Sequence, residues 1–293
     1  MPRDISAAGG EHRLSSVSGP LFLTVCCWLA GCGVQAYEQR LNNANELFAY
    51  QNYLDKTLAR TPWSAPGGYG LSMRIPLGYA QIPAPVLPPP VKDADGAEVE
   101  QPMPPDLRQP TYLGVPEVEG LIAAWKATVP ARDGQAVVFL YVLGNHDRLL
   151  ASNTEAGGLP PEKYLEDLET LLQTQLGLTI EKAGSASNQV NVKAEETIPR
   201  VERFVKSKAF TAVRLSPSPA ALQQLGNLPE MEGYLYEHQA GPCQVAVLLV
   251  APLSVRDNPE TALRTALETL VASDQRPQRT VPGQVGGEGK SGF

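Results

Sequence analysis

Few residues in this chain could do chemistry, and each group of them is incomplete. Cys243 and His238 flank a predicted turn five residues apart and could pair as nucleophile and base. No third group is in place to orient that base and no oxyanion donors accompany it, so a packed thiol is the better reading. Asp93-Ala-Asp-Gly96 resembles the opening of a calcium loop, but the third early acidic ligand is missing and no glutamate closes the loop at the right distance. Gly67-Gly-Tyr-Gly70 is followed by a strand-like segment, so it lacks the helix N-terminus that would hold an anion. Gly-x-Ser-x-Gly, the commonest serine hydrolase signal, is absent. Gly144-Asn-His-Asp147 closes an apolar run and sets an amide, an imidazole and a carboxylate in succession.

The elements that must position these residues follow from periodicity. Val34–Arg60 lacks proline and glycine, and Tyr37, Leu41, Ala44, Phe48 and Leu54–Leu58 recur at nearly helical spacing, which predicts a helix of about six or seven turns. That helix reads as a spacer, a partner-binding helix or a short coiled coil. Gly70–Ile82 alternates and turns at Pro76 and Gly78, predicting a strand, a turn and a second short strand. Residues 83–116 form a proline-rich insertion, expected to be extended and unable to join a sheet; Pro88-Pro-Pro90 is read as a loop rather than a ligand for an aromatic groove. Leu121–Val129 and Gln135–Leu143 read as a hairpin around Asp133-Gly134. Pro161–Leu176 is an amphipathic helix with Tyr164, Leu168, Leu171, Leu172 and Gln175 on one face, and Glu162, Glu166, Asp167 and Glu169 on a face expected to be solvated. Gln189–Ala194 and Ala209–Leu215 are expected strands. Tyr234–Gln239 and Gln244–Val250 predict a second hairpin around Ala240-Gly-Pro242. Asn258 caps a final helix with Pro259 at its first position and Leu263, Leu267, Leu270 and Val271 on one face. The tail at 274–293 is polar and glycine-rich and reads as disordered. Strands joined by short turns, with helices between, predict an α+β fold with an antiparallel sheet and packed helices.

Composition narrows the function classes. The chain has 293 residues and a net charge of −7, which argues against nucleic acid as a partner. Pro20–Ala30 (PLFLTVCCWLA) is an apolar run of about eleven residues, within the length of a signal-peptide core and short of the roughly 20 residues of a membrane span. It abuts Leu29-Ala-Gly-Cys32, which resembles the lipobox of bacterial lipoproteins. The resemblance implies cleavage between Gly31 and Cys32 and diacylglyceryl transfer to the Cys32 thiol, with residues 1–31 as the signal peptide and 32–69 as lipidated N-terminus and tether helix. The long leader, where Asp4 and Glu11 offset Arg3 and Arg13, departs from the pattern and points to a start codon further downstream. The alternatives are an uncleaved signal anchor and a buried helix. Cleavage would remove Cys26 and Cys27, and Cys32 would carry lipid. Cys243 then remains as a lone thiol, expected to be buried in a strand. Acylation would anchor the chain to the membrane, each buried methylene adding roughly 0.8 kcal/mol. Gly33 is not the aspartate linked to inner-membrane retention in some bacteria, which tips the expectation toward the outer membrane.

Two further resemblances bear on function. Gly144-Asn-His-Asp147 is similar to the metallophosphoesterase motif in which the Asn ligates a metal and the His protonates the leaving group. A two-metal site needs about eight ligating groups, and that family's Asp-x-His, Gly-Asp and Gly-His motifs are absent after Cys32, so the motif reads as a polar turn at a strand end. Residues 70–273 resemble the Mog1/PsbP-like α/β sandwich: Arg74-Ile-Pro-Leu-Gly-Tyr79 after the opening strand, paired central strands, one long helix, Gly233-Tyr-Leu-Tyr236 and a closing helix. That resemblance implies a non-enzymatic binding or assembly factor. The expectation is therefore a membrane-anchored envelope lipoprotein without cofactor or metal that binds an envelope protein partner. A small-ligand-binding lipoprotein is the alternative and a hydrolase the least favoured. A groove lined by Trp125 and Tyr236 would favour a ligand, an exposed apolar patch on the tether helix or the sheet a partner, and a His-acidic cluster bringing His146 and His238 together an enzyme.

Overall fold

The structure is a computed structural model that describes residues 19–92, 98–99, 101–110, 117–152, 158–182, 190–224, 226 and 228–277. The start of the expected signal-peptide segment, the Asp93–Gly96 turn and most of the tail lie outside the described residues. The chain divides into two compact units, Met1–Tyr53 and Leu54–Phe293.

The described residues of the first unit are helical. Helix α1 runs Gly19–Thr57, its proline at the tolerated first turn and no other proline before Pro62. No described helix is long and apolar enough to cross a membrane. The last turn of α1 belongs to the second unit: Leu54 and Leu58 are buried there. Arg74 fastens that turn, donating from Nε to the Ala59 carbonyl and from Nη2 to Asp55 Oδ1, both at 2.7 Å.

The second unit is α+β. Short strands β1 (Trp63–Ser64) and β2 (Leu71–Met73) open it, followed by β3 (Ala80–Ile82). Strands β4 (Val91–Lys92) and β5 (Glu98–Val99) pair with each other. Then come β6 (Leu121–Ala131) and β7 (Gly134–Gly144), α2 (His146–Ala151) and α3 (Tyr164–Leu176). Strands β8 (Lys193–Ile198) and β9 (Lys208–Leu215), α4 (Pro219–Gln224), β10 (Met231–Ala240), β11 (Cys243–Pro252), α5 (Pro259–Glu268) and β12 (Val271–Ala272) complete it. The main sheet is antiparallel in the order β3-β6-β7-β11-β10-β9-β8, and β1, β2 and β12 form a second, three-stranded sheet.

Both expected hairpins form. Gly134 takes φ +124° at the β6–β7 turn and Gly241 takes +56° at the β10–β11 turn. At Gly241 a Cβ would lie 2.6 Å from the Asp274 carbonyl oxygen, so the close approach of the chain after β12 also demands glycine there. Strand β11 is buried from Cys243 to Ala251, which explains its unbroken apolar sequence: the sheet is covered on both faces. On one face Tyr164, Leu168, Leu172 and Leu176 of α3 meet Tyr141, Leu143, Leu235, Ala246, Leu248 and Val250. Each such side chain contributes roughly 1.5–3 kcal/mol on burial. On the other face Leu140, Val142, Val247 and Leu249 are equally buried, and α5 adds Leu263 and Leu267. Asn258 caps α5 as expected, its Oδ1 accepting from the Glu260 amide at 2.9 Å.

Several expectations are corrected. The insertion at 83–116 does form a ladder, β4 with β5, because its prolines stop at Pro90 and resume at Pro102. Strands β2 and β3 enter different sheets instead of forming one strand-turn-strand unit. The strand expected at Gln189–Ala194 lies later, at Lys193–Ile198: Asn191 holds φ +58° and its amide binds the Arg214 carbonyl, so pairing starts beyond it. Its charged sequence suits a sheet edge. The turn after β7 proves to be the start of helix α2. The expected solvated face of α3 is broken at Glu169, which lies between Leu165 and Leu172 on the side turned to the sheet and is buried.

Candidate functional site

Helix α1 carries the most exposed apolar surface of any described helix segment. From Val34 its side chains are described, and Val34, Tyr37, Leu41 and Phe48 are 55%, 67%, 47% and 61% exposed. Together with Ala44 they recur in steps of three and four, which places them on one narrow stripe of a helix. Cys32 lies in α1 two residues before this stripe.

The Asn145–Arg148 segment is built for a different purpose. Asn145 is fully buried. Its Nδ2 donates to the carbonyls of Pro161 and Pro242, both at 3.0 Å, and its Oδ1 accepts from the Gln244 amide at 2.9 Å. One side chain thus ties the entry of α3 to the β10–β11 turn. All of its amide capacity but one lone pair is engaged, so it is a structural lock. His146 is buried and stacks on Tyr69 at 4.7 Å between centroids, and its Nδ1 has no hydrogen-bond partner among the described residues. Burial pushes its imidazole below the usual range, with Asp147 partly opposing, so it stays neutral. Tyr69 in turn donates to Asp147 Oδ1 at 2.7 Å, and burial together with that contact pushes its phenol up to about 12. Arg148, also buried, donates to Glu119 and Asp167. Those contacts raise its guanidinium and keep it charged. No group of three His, Cys, Asp or Glu among the described residues is arranged to hold a metal.

Cys243 and His238 do not meet as a pair. The Cys243 thiol donates to the Gln275 carbonyl at 3.3 Å, while His238 Nδ1 lies 2.8 Å from the Ala209 carbonyl and its ring rests on Phe210. Cys243 is buried in β11 as expected, and burial pushes its thiol up. His146 and His238 share none of these contacts.

The α5 face of the sheet holds a cavity of about 390 Å³ lined by Ala194, Glu196, Ala212, Arg214, Tyr236 and Glu260 among others. Tyr236 donates to Glu260 Oε1 at 2.7 Å and accepts from Arg264 at 3.2 Å. Arg264 also lies 2.6 Å from Glu196 Oε2. Tyr234 donates to Glu232, which also receives Arg214. Burial raises both phenols, so they stay protonated. Trp125 is not part of this cavity; it packs edge-on against Trp63 at 5.0 Å.

Neither a scan of protein-family models nor a search of curated proteins finds a match for this chain.

One buried group was not visible in the sequence. Glu237 is 6% exposed on the α3 side of β10, and its Oε1 has no partner among the described residues. Glu169 of α3 sits beside it and is itself paired with Lys193. Burial first, and the neighbouring Glu169 second, push the Glu237 carboxyl up to about 8. The signal available was Glu237 falling two residues after Leu235, on the same side of a strand.

Proposed function

We propose that this protein is a cell-envelope lipoprotein, anchored to the membrane by lipid on Cys32, that binds or assembles with an envelope protein through helix α1. It acts without catalysis. One observation carries the reading: large apolar side chains at 34, 37, 41 and 48 stand exposed on the helix that contains the lipobox cysteine, just beyond it. A pure spacer needs no such surface. The antiparallel sheet flanked by helices on both faces supports the likeness to the Mog1/PsbP-like sandwich. The lock formed by Asn145 supports the non-enzymatic reading of the Gly-Asn-His-Asp segment, because that amide is already engaged with protein.

The test is crosslinking in the protein's own cells, comparing the wild type with Cys32→Ala and identifying the attached proteins. A defined set of adducts that disappears with the substitution is expected, since the lipid supplies proximity. The same absence of adducts from both forms would overturn the reading. The cavity beside Tyr236 favours a second reading, binding of a small polar ligand between opposed carboxylate and guanidinium groups. Ala194→Phe, which fills the cavity, would then abolish a ligand-induced thermal shift of the purified protein.

A further inference from the structure

We propose that the stripe on α1 is the seam of a parallel two-stranded coiled coil formed by two copies of this chain. The inference rests on the docking reading above and names its occupant. Val34, Tyr37, Leu41, Ala44 and Phe48 advance by three, four, three and four residues, the a and d positions of successive heptads. An apolar face fitted to a globular surface is wider, adding positions one residue further round. Here those flanks are mostly polar: Glu38, Arg40 and Asn45 border the stripe, and Leu47 is the one large apolar side chain among them. A narrow seam of this period fits another helix of the same period, and an identical helix offers it in a self-complementary, two-fold arrangement.

The ends of the seam are set by the chain itself. At the C-terminal end the next two heptad positions are Gln51 and Asp55, and Asp55 is already bound by Arg74. At the N-terminal end stands the lipidated Cys32. Two copies anchored in one leaflet carry their lipid at the same end, which fixes a parallel pairing. From Val34 to Phe48 the seam is about 21 Å long at 1.5 Å per residue. A seam that short is weak between free helices. Confinement to a membrane raises the effective concentration enough to hold it. Arg40, at a position flanking the seam, then faces Asn45 of the other copy.

The thiol content of the chain makes the test direct, because Cys26 and Cys27 leave with the signal peptide, Cys32 carries lipid and Cys243 is fully buried. Single cysteines are introduced into the full-length protein in its native membranes and oxidised, with the unsubstituted chain as background. Tyr37→Cys and Leu41→Cys, on the seam, are expected to give disulfide-linked dimer at least about fivefold over Gln39→Cys and Asn42→Cys on the outer face. Equal, background yields at all four positions would overturn the coiled coil. If Leu41→Glu nevertheless removes crosslinks to another protein, the docking reading survives and only the second copy is wrong. If Leu41→Glu changes no crosslink either, both fall.

Discussion

The two units use the same kinds of residue in opposite ways. In the domain, the polar residues that look most reactive are engaged: Asn145 bonds three backbone groups, Arg148 is held between two carboxylates, and the Cys243 thiol faces a carbonyl. In helix α1, the apolar residues that would ordinarily build a core are exposed. The domain's conspicuous chemistry therefore supports its fold, and the proposed recognition role falls to the surplus apolar surface of the helix.

The comparison is sharpened most by Asn145→Ala. It leaves the Gln244 amide and two carbonyls unpaired inside the protein, so a loss of about 3 kcal/mol is expected, read as a fall in the domain's Tm of roughly 6–12 °C. Leu41→Glu should leave that Tm unchanged within about 1 °C while removing crosslinks, because an exposed position carries little folding energy. The reverse pattern would break the contrast between the units.

Arg148→Ala comes next, with an expected loss of about 2 kcal/mol. Its partners Glu119 and Asp167 are 46% and 47% exposed and can return to water, so the full penalty of a stranded buried charge is not incurred. Chemical denaturation at neutral pH checks it.

Glu237 gives the domain a pH dependence of definite sign. The folded carboxyl is raised to about 8, above its unfolded value, so the folded state binds the extra proton. Stability is then fully present below the ordinary glutamate range and falls as pH rises toward 8. The charged groups that face Glu237 are Glu169 from α3 and Lys193 and Glu195 from β8. Glu237→Gln should match the wild type near pH 4.5 and exceed it in Tm at pH 8.5. Equal Tm at both would show that the carboxyl is solvated.

The smallest effect is expected at Cys243. Buried, with its thiol raised, it should resist alkylation in the native protein and react at once in denaturant. Labelling of the native domain would mean that the end of the β10–β11 hairpin opens.

Where a single periodicity decides an element, the sequence was sufficient. Helix α3, the two hairpins and the Asn258 cap all follow from local pattern, and so does the burial of Cys243 in an apolar run. What escaped depends on residues far apart in the chain. The Gly-Asn-His-Asp segment reads as a turn because nothing local shows that Asn145 will meet Pro161 and Pro242. Glu169 looks solvated until β10 sets Glu237 beneath it. Trp125 and Tyr236, whose meeting in one groove would have favoured a ligand, are kept apart because β7 and β11 separate β6 from β10, and Trp63 takes up Trp125. The apolar spacing of α1 was legible. Its exposure was not, because a stripe alone does not say whether the rest of the chain covers it.

The central claim is that the exposed stripe of α1 is the working surface of the protein. It is tested most directly by crosslinking the full-length chain carrying Leu41→Glu and Phe48→Glu in its own cells, beside the wild type at equal abundance. Loss of the wild-type adducts with the domain's Tm unchanged is the predicted result. Adducts that persist undiminished would contradict it and move the binding surface to the domain.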